Sequence, residues 1–119
     1  MLLTSVSRRR FTADGEPDPL AVGAYPAAMR DVAEQTGTPL LDLFAASQKL
    51  YRTLGFAGSE HLFMHLKPGQ HPNYPDGVTD DTHFSTGGAK RIAGLVADAI
   101  RQSPALAGLH SFLAAHVNT

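Results

Sequence analysis

The chain has 119 residues, the length of a single domain, and its 10 basic and 11 acidic residues give a net charge of −1. It has no cysteine, which excludes a disulfide, a thiolate nucleophile and a Cys-ligated zinc. It also lacks the basic surplus of nucleic-acid-binding proteins, and no apolar run approaches the ~18–20 residues that cross a bilayer. Neither nucleic acid nor a membrane is therefore predicted as a partner.

The first half of the chain has the pattern of a strand–helix–strand–helix unit. Its predicted elements are a strand at 1–7, a loop at 8–23, a helix at 24–37, a strand at 38–44 and a helix at 45–55. Pro26 suits the first turn of the first helix and Gly37 suits its end. The apolar face of that helix comprises Tyr25, Met29, Val32 and Ala33. A helical connection between two strands predicts that they pair in parallel.

The second half begins with an irregular stretch, residues 56–84, which contains four histidines and a possible short helix at 61–66. Ser85 then suits the N-cap of a helix. The apolar stripe of this helix comprises Ala89, Ile92, Ala93, Val96, Ala99 and Ile100. A weaker helical pattern covers 104–119, so the predicted organisation is a domain at 1–102 and a helical tail at 103–119.

Two strands with three or four helices indicate an α/β protein whose sheet is too small to form a stable parallel sheet alone. A parallel sheet of two strands leaves both edges unpaired and its apolar faces poorly covered. The chain is therefore expected to be part of a larger α/β domain or to assemble with another chain. Residues 1–7 do not have the pattern of a signal peptide, because the arginines follow the apolar run, and the cellular compartment stays open.

Asp80 and His83 are the first candidate for chemistry. In a serine hydrolase a histidine takes the proton of the nucleophile, while an acid holds its tautomer and stabilises the imidazolium. A loop that leads into a helix would place both side chains at the carboxyl ends of the strands, where open α/β sheets bind ligands. The alternative is that Asp80 and Asp81 are solvated acids beside a helix N-terminus, and the spacing alone does not decide between the two.

The histidines His61, His65 and His71 raise a second possibility, a metal site. Residues i and i+4 of a helix share a face, but HLFMH lacks the glutamate of the H-E-x-x-H motif. Polar contacts within a loop or pocket are the favoured role, and no metal or other cofactor is predicted.

Arg8, Arg9 and Tyr74 are candidates for substrate binding. Arginine recognises carboxylates bidentately, so Arg8 and Arg9 would suit an anionic sugar. The alternative for the arginines is solvation or pairing with the acids Asp14, Glu16 and Asp18. Tyr74 would stack on a sugar ring, or it would pack within its own loop.

A nucleophile is missing from the pattern. None of the seven serines lies in a G-x-S-x-G or G-D-S motif, and Ser85 is expected to serve as a helix cap. No glycine and asparagine pair resembles an oxyanion hole. The residues of this chain are therefore not expected to complete a hydrolase site.

Three runs carry a resemblance to a known family: LLTSVSRRRF, YPAAMRDVAEQTGTPLLDLF and HLKPGQHPNYPDGVTDDTHFSTGGAKRIAGLV. Over about residues 1–102 the chain resembles the C-terminal half of the rhamnogalacturonan acetylesterases, which are SGNH (GDSL-type) hydrolases. The resemblance implies a three-layer α/β/α, flavodoxin-like fold with a parallel sheet, of which this chain is the C-terminal portion. It also implies an acyl-enzyme on serine and no metal.

The resemblance assigns Asp80 and His83 as the orienting acid and the general base of the D-x-x-H motif, with Asp81 at a variable position. The family's nucleophile and oxyanion donors lie in blocks that precede the segment matching residues 2–7. The predicted function is that of a carbohydrate O-acetylesterase lacking its serine and oxyanion hole, and therefore inactive alone. Its substrate would be an acetylated pectic oligosaccharide or another small acyl ester, and a missing N-terminal half or a second copy would be its protein partner. The alternative is a non-catalytic carbohydrate-binding or oligomerising remnant of the same fold.

Overall fold

The computed structural model describes residues 1–113, so the predicted helical pattern at 114–119 lies outside the described residues. The strands are β1 (Leu2–Leu3), β2 (Leu40–Leu41), β3 (Phe63–Leu66) and β4 (Val78–Phe84). The helices are α1 (Tyr25–Thr36), α2 (Leu43–Gly58) and α3 (Thr86–Arg101). Two 3-10 helices complete the elements, at Glu60–Leu62 and Pro104–Phe112. No helix in this part of the chain is long and apolar enough to span a membrane.

The β1 and β2 strands pair in parallel, as predicted, with Leu2 opposite Leu40 and Leu3 opposite Leu41. Both are shorter than the predicted strands at 1–7 and 38–44. The β2 strand stops because Asp42 caps α2, its carboxylate accepting a hydrogen bond from the backbone N–H of Ala45.

The predicted helix boundaries at Gly37 and Ser85 are confirmed, whereas the one at Gly55 is a kink within a longer helix. Gly37 ends α1 in the left-handed conformation, with φ of 64°. Gly55 marks the predicted end of the second helix, and there α2 has a kink with φ of 78° before it continues to Gly58. Ser85 caps α3 by accepting a hydrogen bond from the N–H of Gly88.

The prediction of an irregular stretch with a helix at 61–66 is wrong. Phe63–Leu66 and Val78–Phe84 form an antiparallel hairpin, and only Glu60–Leu62 is helical, as a 3-10 turn. A strand within this stretch is favoured because the hairpin supplies the backbone hydrogen bonds that a four-residue segment cannot supply to itself.

The core has two parts, joined by the half-buried Val6 and Leu95. The first centres on Leu50, Tyr51, Leu62, Phe63 and Ile92, and the second on Leu41, Leu43 and Ile100. Part of the predicted α3 stripe supplies these clusters, whereas Ala89 and Ala93 are exposed. A mixed α/β protein with a small parallel sheet is thus confirmed, and the three-layer arrangement stays a prediction.

Candidate active site

A bulge in β4 carries the candidate histidine. Phe84 pairs with Phe63 and Asp80 pairs with Met64, so residues 81–83 of β4 have no partner on β3. Extra residues of this kind bend a strand and re-aim its side chains. Asp80 and His83 therefore lie on an irregular strand that runs directly into α3, where the sequence had predicted a loop.

The carboxylate of Asp80 makes hydrogen bonds to the other residues of this bulge. Asp80 Oδ1 accepts hydrogen bonds from the backbone N–H groups of Thr82 at 2.6 Å and His83 at 2.9 Å. Its Oδ2 lies 2.7 Å from Nδ1 of the His83 imidazole. The N–H groups of His83 and Thr82, and then the imidazole, lower the pKa of Asp80 to about 2. Asp80 is therefore a carboxylate at neutral pH.

The contact fixes the chemistry that His83 can perform. An ionised carboxylate only accepts hydrogen bonds, so Nδ1 of His83 carries the proton and Nε2 carries the lone pair of the neutral ring. Within residues 1–113 no hydrogen bond joins Nε2 to another group, and the side chain is 79% exposed. The arrangement can take a proton from a group that approaches from the solvent side.

Arg8 lies beside this pair. Its Nε donates to Oγ1 of Thr82 at 2.8 Å, and both side chains are exposed. The structure therefore brings Arg8 to the bulge, one residue from His83, as a cation that is open to solvent. Its predicted contact with an anionic sugar stays a prediction.

Arg9 lies in a different environment. Its side chain is 3% exposed, and its guanidinium donates to Asp81 Oδ1 at 2.9 Å and to Ser59 Oγ at 3.1 Å. It also donates to the carbonyl of Phe56 and lies over the ring of that residue. This burial gives Arg9 a structural position and no exposed face toward a substrate. Of the three consecutive arginines at 8–10, which the structure describes in full, Arg10 makes the alternative pairing, through its contact with Asp18.

Tyr74 lies in the loop between β3 and β4, at the end of the hairpin opposite the bulge. Its ring centroid is 5.8 Å from that of His71, and its N–H donates to the carbonyl of His71. Within residues 1–113 no hydrogen bond or ring contact joins Tyr74 to Asp80 or His83. Its stacking on a sugar stays a prediction.

The other histidines are not brought together. His61 lies in a 3-10 turn, His65 in β3 and His71 in the hairpin loop, so they do not share a helical face. His65 Nε2 instead lies 2.7 Å from Oδ1 of Asp81. The described part of the chain holds no group of three or more His, Asp or Glu side chains placed to bind a metal ion.

The serines occupy structural positions. Ser7, Ser47 and Ser59 are buried and hydrogen-bonded, and Ser85 caps α3 while donating to the carbonyl of His61. All seven serines lie within residues 1–113, and none hydrogen-bonds to His83.

Two polar networks were not found from the sequence. Thr4 and Arg30 both donate to Asp42, Arg30 bidentately at 2.9 and 3.1 Å. Burial raises the pKa of Asp42, but the hydrogen bonds from Arg30, Ala45 and Thr4 outweigh it and leave the pKa lowered. The only available signal was Asp42 as a cap residue before an apolar run.

The second network lies between α2 and the segment after β1. Ser47 accepts from the N–H of Ser7, the Tyr51 hydroxyl donates to the Ser7 carbonyl, and Gln48 donates to the Ser7 hydroxyl. Burial raises the pKa of Tyr51, which keeps the phenol protonated as a donor. These bonds hold the backbone that leads from β1 to Arg8 and Arg9, and thus to the bulge.

Comparison with known proteins gives one informative match. The chain is 43% identical over 102 residues to rhamnogalacturonan acetylesterase RhgT of Bacillus subtilis (strain 168). The match covers 86% of this chain and 44% of that protein, so the chain spans less than half the length of its relative. No protein-family model and no solved structure matches. The predicted resemblance is thus confirmed, since most of the chain is similar in sequence to part of a rhamnogalacturonan acetylesterase.

Proposed function

We propose that this chain carries the acid–base half of a carbohydrate O-acetylesterase site. Asp80 is the orienting acid, His83 is the general base, and an acetylated pectic oligosaccharide is the substrate. The nucleophilic serine and the oxyanion donors come from polypeptide other than these 119 residues. The single observation that carries the proposal is the 2.7 Å contact between an ionised Asp80 and Nδ1 of His83, which leaves Nε2 facing solvent.

The catalytic cycle follows from this tautomer. Nε2 of His83 takes the proton of the serine hydroxyl as the serine oxygen attacks the acetyl carbonyl carbon. The imidazolium, stabilised by Asp80, then gives that proton to the departing sugar oxygen, and the acetyl group stays on the serine. Water then attacks the acetyl-serine while His83 takes its proton, and the imidazolium returns that proton to the serine oxygen as the bond to the acetyl group breaks and acetate is released.

The seven serines of this chain support the need for a nucleophile from elsewhere. None of them makes a hydrogen bond to His83. Ser85 caps α3, and Ser7, Ser47 and Ser59 are buried in hydrogen-bond networks. The relative is more than twice as long as its matched part, since that part is 44% of its length.

A fusion protein tests the proposal. The part of RhgT that this chain does not match is placed before Met1, and release of acetate from acetylated rhamnogalacturonan is measured. We expect turnover that His83→Ala abolishes and that Asp80→Asn lowers about 10⁴-fold, as in a serine triad with a disabled acid. His61→Gln, an exposed histidine outside the site, is the matched control and should keep full activity.

The 119-residue chain alone should show no His83-dependent release of acetate. Turnover by the isolated chain that disappears in His83→Ala would contradict the need for an external nucleophile. A folded fusion that keeps its activity in His83→Ala would contradict the role of His83 itself.

A further inference from the structure

The second aspartate of the motif points away from His83. Asp81 Oδ1 lies 2.9 Å from Nη1 of Arg9 and 2.7 Å from Nε2 of His65. Its backbone carbonyl also accepts the N–H of Arg9 at 2.9 Å. Asp81 therefore connects the bulge to residues of other segments, whereas Asp80 makes its hydrogen bonds to residues of the bulge itself.

Arg9 is a fixed anchor for this contact. Besides Asp81, its guanidinium donates to the buried Ser59 hydroxyl and to the Phe56 carbonyl. Its central carbon lies 4.2 Å from the centroid of the Phe56 ring. The planar guanidinium of Arg9 makes all of these contacts at once, so its position is fixed. Asp81 therefore adopts the position that the Arg9 guanidinium sets.

His65 is the second anchor. It lies in β3, the strand that pairs with β4, and its side chain is largely buried. Its Nδ1 is 3.9 Å from the carboxylate of Glu60. Asp81 is thus tied both to the segment that follows β1 and to the neighbouring strand of the hairpin.

We propose that Arg9, Asp81 and His65 are positioning residues for His83, an inference that rests on the proposed function. Residues 81–83 have no partner on β3, so the only backbone hydrogen bond from outside the bulge that the described residues give this segment is the one from the N–H of Arg9 to the Asp81 carbonyl. Asp80 reaches Nδ1 of His83 only while the N–H groups of Thr82 and His83 point at its other oxygen. Holding Asp81 keeps those planes in place, and losing it lets the bulge open and the Asp80–His83 contact break.

The proposal reassigns Arg9, which the sequence had suggested as a substrate ligand. It also gives a role to Asp81, which stands at a variable position of the motif. Arg8, which donates to Thr82, is a third and exposed tether of the same bulge.

Nitrogen-15 NMR of the 119-residue chain tests the proposal, because the tautomer of the neutral His83 ring can be read without any nucleophile. In the unmodified chain we expect the proton on Nδ1. In Asp81→Asn we expect the Nδ1 and Nε2 shifts to move toward those of a histidine in a flexible peptide, which mixes both tautomers. His65→Gln, which leaves the Arg9–Asp81 contact in place, should move them in the same direction by less. Asp31→Asn, an exposed aspartate of α1, is the matched control and should leave both shifts unchanged.

Thermal unfolding of the same variants separates positioning from simple stabilisation. If Asp81→Asn and His65→Gln lower Tm but leave the His83 tautomer unchanged, the residues only stabilise the fold and the proposal is overturned. Should Asp81→Asn not fold, His65→Gln decides alone by the same criterion. Asp80→Asn is the reference: if neither Asp80→Asn nor Asp81→Asn changes the tautomer, the Asp80–His83 contact itself is absent and the proposed function fails as well.

Discussion

Asp80 performs three hydrogen-bonding tasks with a single carboxylate. Two backbone N–H groups and one imidazole converge on its two oxygens, and all three come from residues 82 and 83. The ionised form is therefore favoured by the local fold of the bulge as much as by the histidine. These hydrogen bonds join Asp80 and His83 into one local unit, which two polar residues three apart in sequence need not form.

The pKa of Asp80 tests that distinction. Its value is lowered from 3.8 to about 2, mainly by the backbone N–H groups of His83 and Thr82. His83→Ala keeps both groups, so we expect the pKa of Asp80 to return only part of the way to 3.8. The measurement is the chemical shift of the Asp80 carboxyl carbon against pH. A complete return to 3.8 would show that the imidazole alone lowers the pKa of Asp80.

The sign of the linked effect on stability follows from the direction of the shift. A depressed pKa in the folded state stabilises the fold above the unfolded value, and this contribution disappears as pH falls through the folded value. For Asp80 the window lies between about 4 and about 2. Asp80→Asn should therefore make the free energy of unfolding less dependent on pH in that window, as urea unfolding at several pH values would show.

At the scale of elements, the start of α3 is fixed by a close backbone approach. A Cβ built on Gly88 would lie 1.8 Å from the carbonyl oxygen of Leu62, whereas one on Gly87 would meet only Ser85 Oγ at 4.0 Å. Ser85 adds two hydrogen bonds to the same region, through its N–H to Leu62 and through its hydroxyl to His61. The helix that follows the bulge is thus docked against the 3-10 turn that precedes β3.

Two neighbouring glycines give a matched test of this docking. Gly88→Ala should lower the free energy of unfolding by about 3 kcal/mol or more, because backbone atoms must shift to admit the methyl group. Gly87→Ala should raise it by about 0.5–1 kcal/mol, because alanine loses less backbone entropy in a helix. Urea unfolding of both variants measures the difference. Equal effects of the two substitutions would contradict the close approach of α3 to Leu62.

The elements also show what could be predicted from the sequence. Gly37 and Ser85 act through their own backbone or immediate neighbours, and these signals were interpreted correctly, whereas at Gly55 the helix has a kink and then continues to Gly58. The hairpin was missed because four residues, FMHL, are too short for a period to decide between strand and helix. Its partner strand contains Asp80 and Asp81, which strands disfavour, and its pairing depends on contacts distant in sequence.

The candidate site divides in the same way. The contact between Asp80 and His83 could be expected because an acid and a histidine three residues apart lie on one short segment. The burial of Arg9 could not, because its partners Ser59 and Asp81 are 50 and 72 residues away in sequence. From sequence alone, a run of arginines is predicted to be solvated or to bind a ligand. Only the fold shows that one of them, Arg9, is buried.

At the scale of the whole molecule, the described residues leave both edges of the parallel sheet unpaired, and an apolar groove lies next to the segment that follows β1. Within residues 1–113, β1 has β2 on one side and no strand on the other. On α1, which packs near β1, Tyr25 is 78% and Val32 is 47% exposed, although both belong to the apolar face predicted for that helix. They line an open groove of about 240 Å³ together with Ser5, Ala28 and Met29. An unpaired strand beside an apolar groove is a surface on which another polypeptide can add a strand.

In the absence of other polypeptide, we expect a second copy of the chain to occupy this surface. The net charge of −1 opposes self-association only weakly. Light scattering on the eluting protein should therefore give a mass above 12.7 kDa that rises with concentration. Val32→Glu places a charge in the groove at an exposed helical position, where glutamate is a better helix former than valine, and should shift the protein toward the monomer. Leu20→Glu, an equally drastic change at an exposed leucine outside the groove, should leave the mass distribution unchanged. A monomer at every concentration would contradict the expectation and leave the edge available to the polypeptide that is proposed to supply the serine.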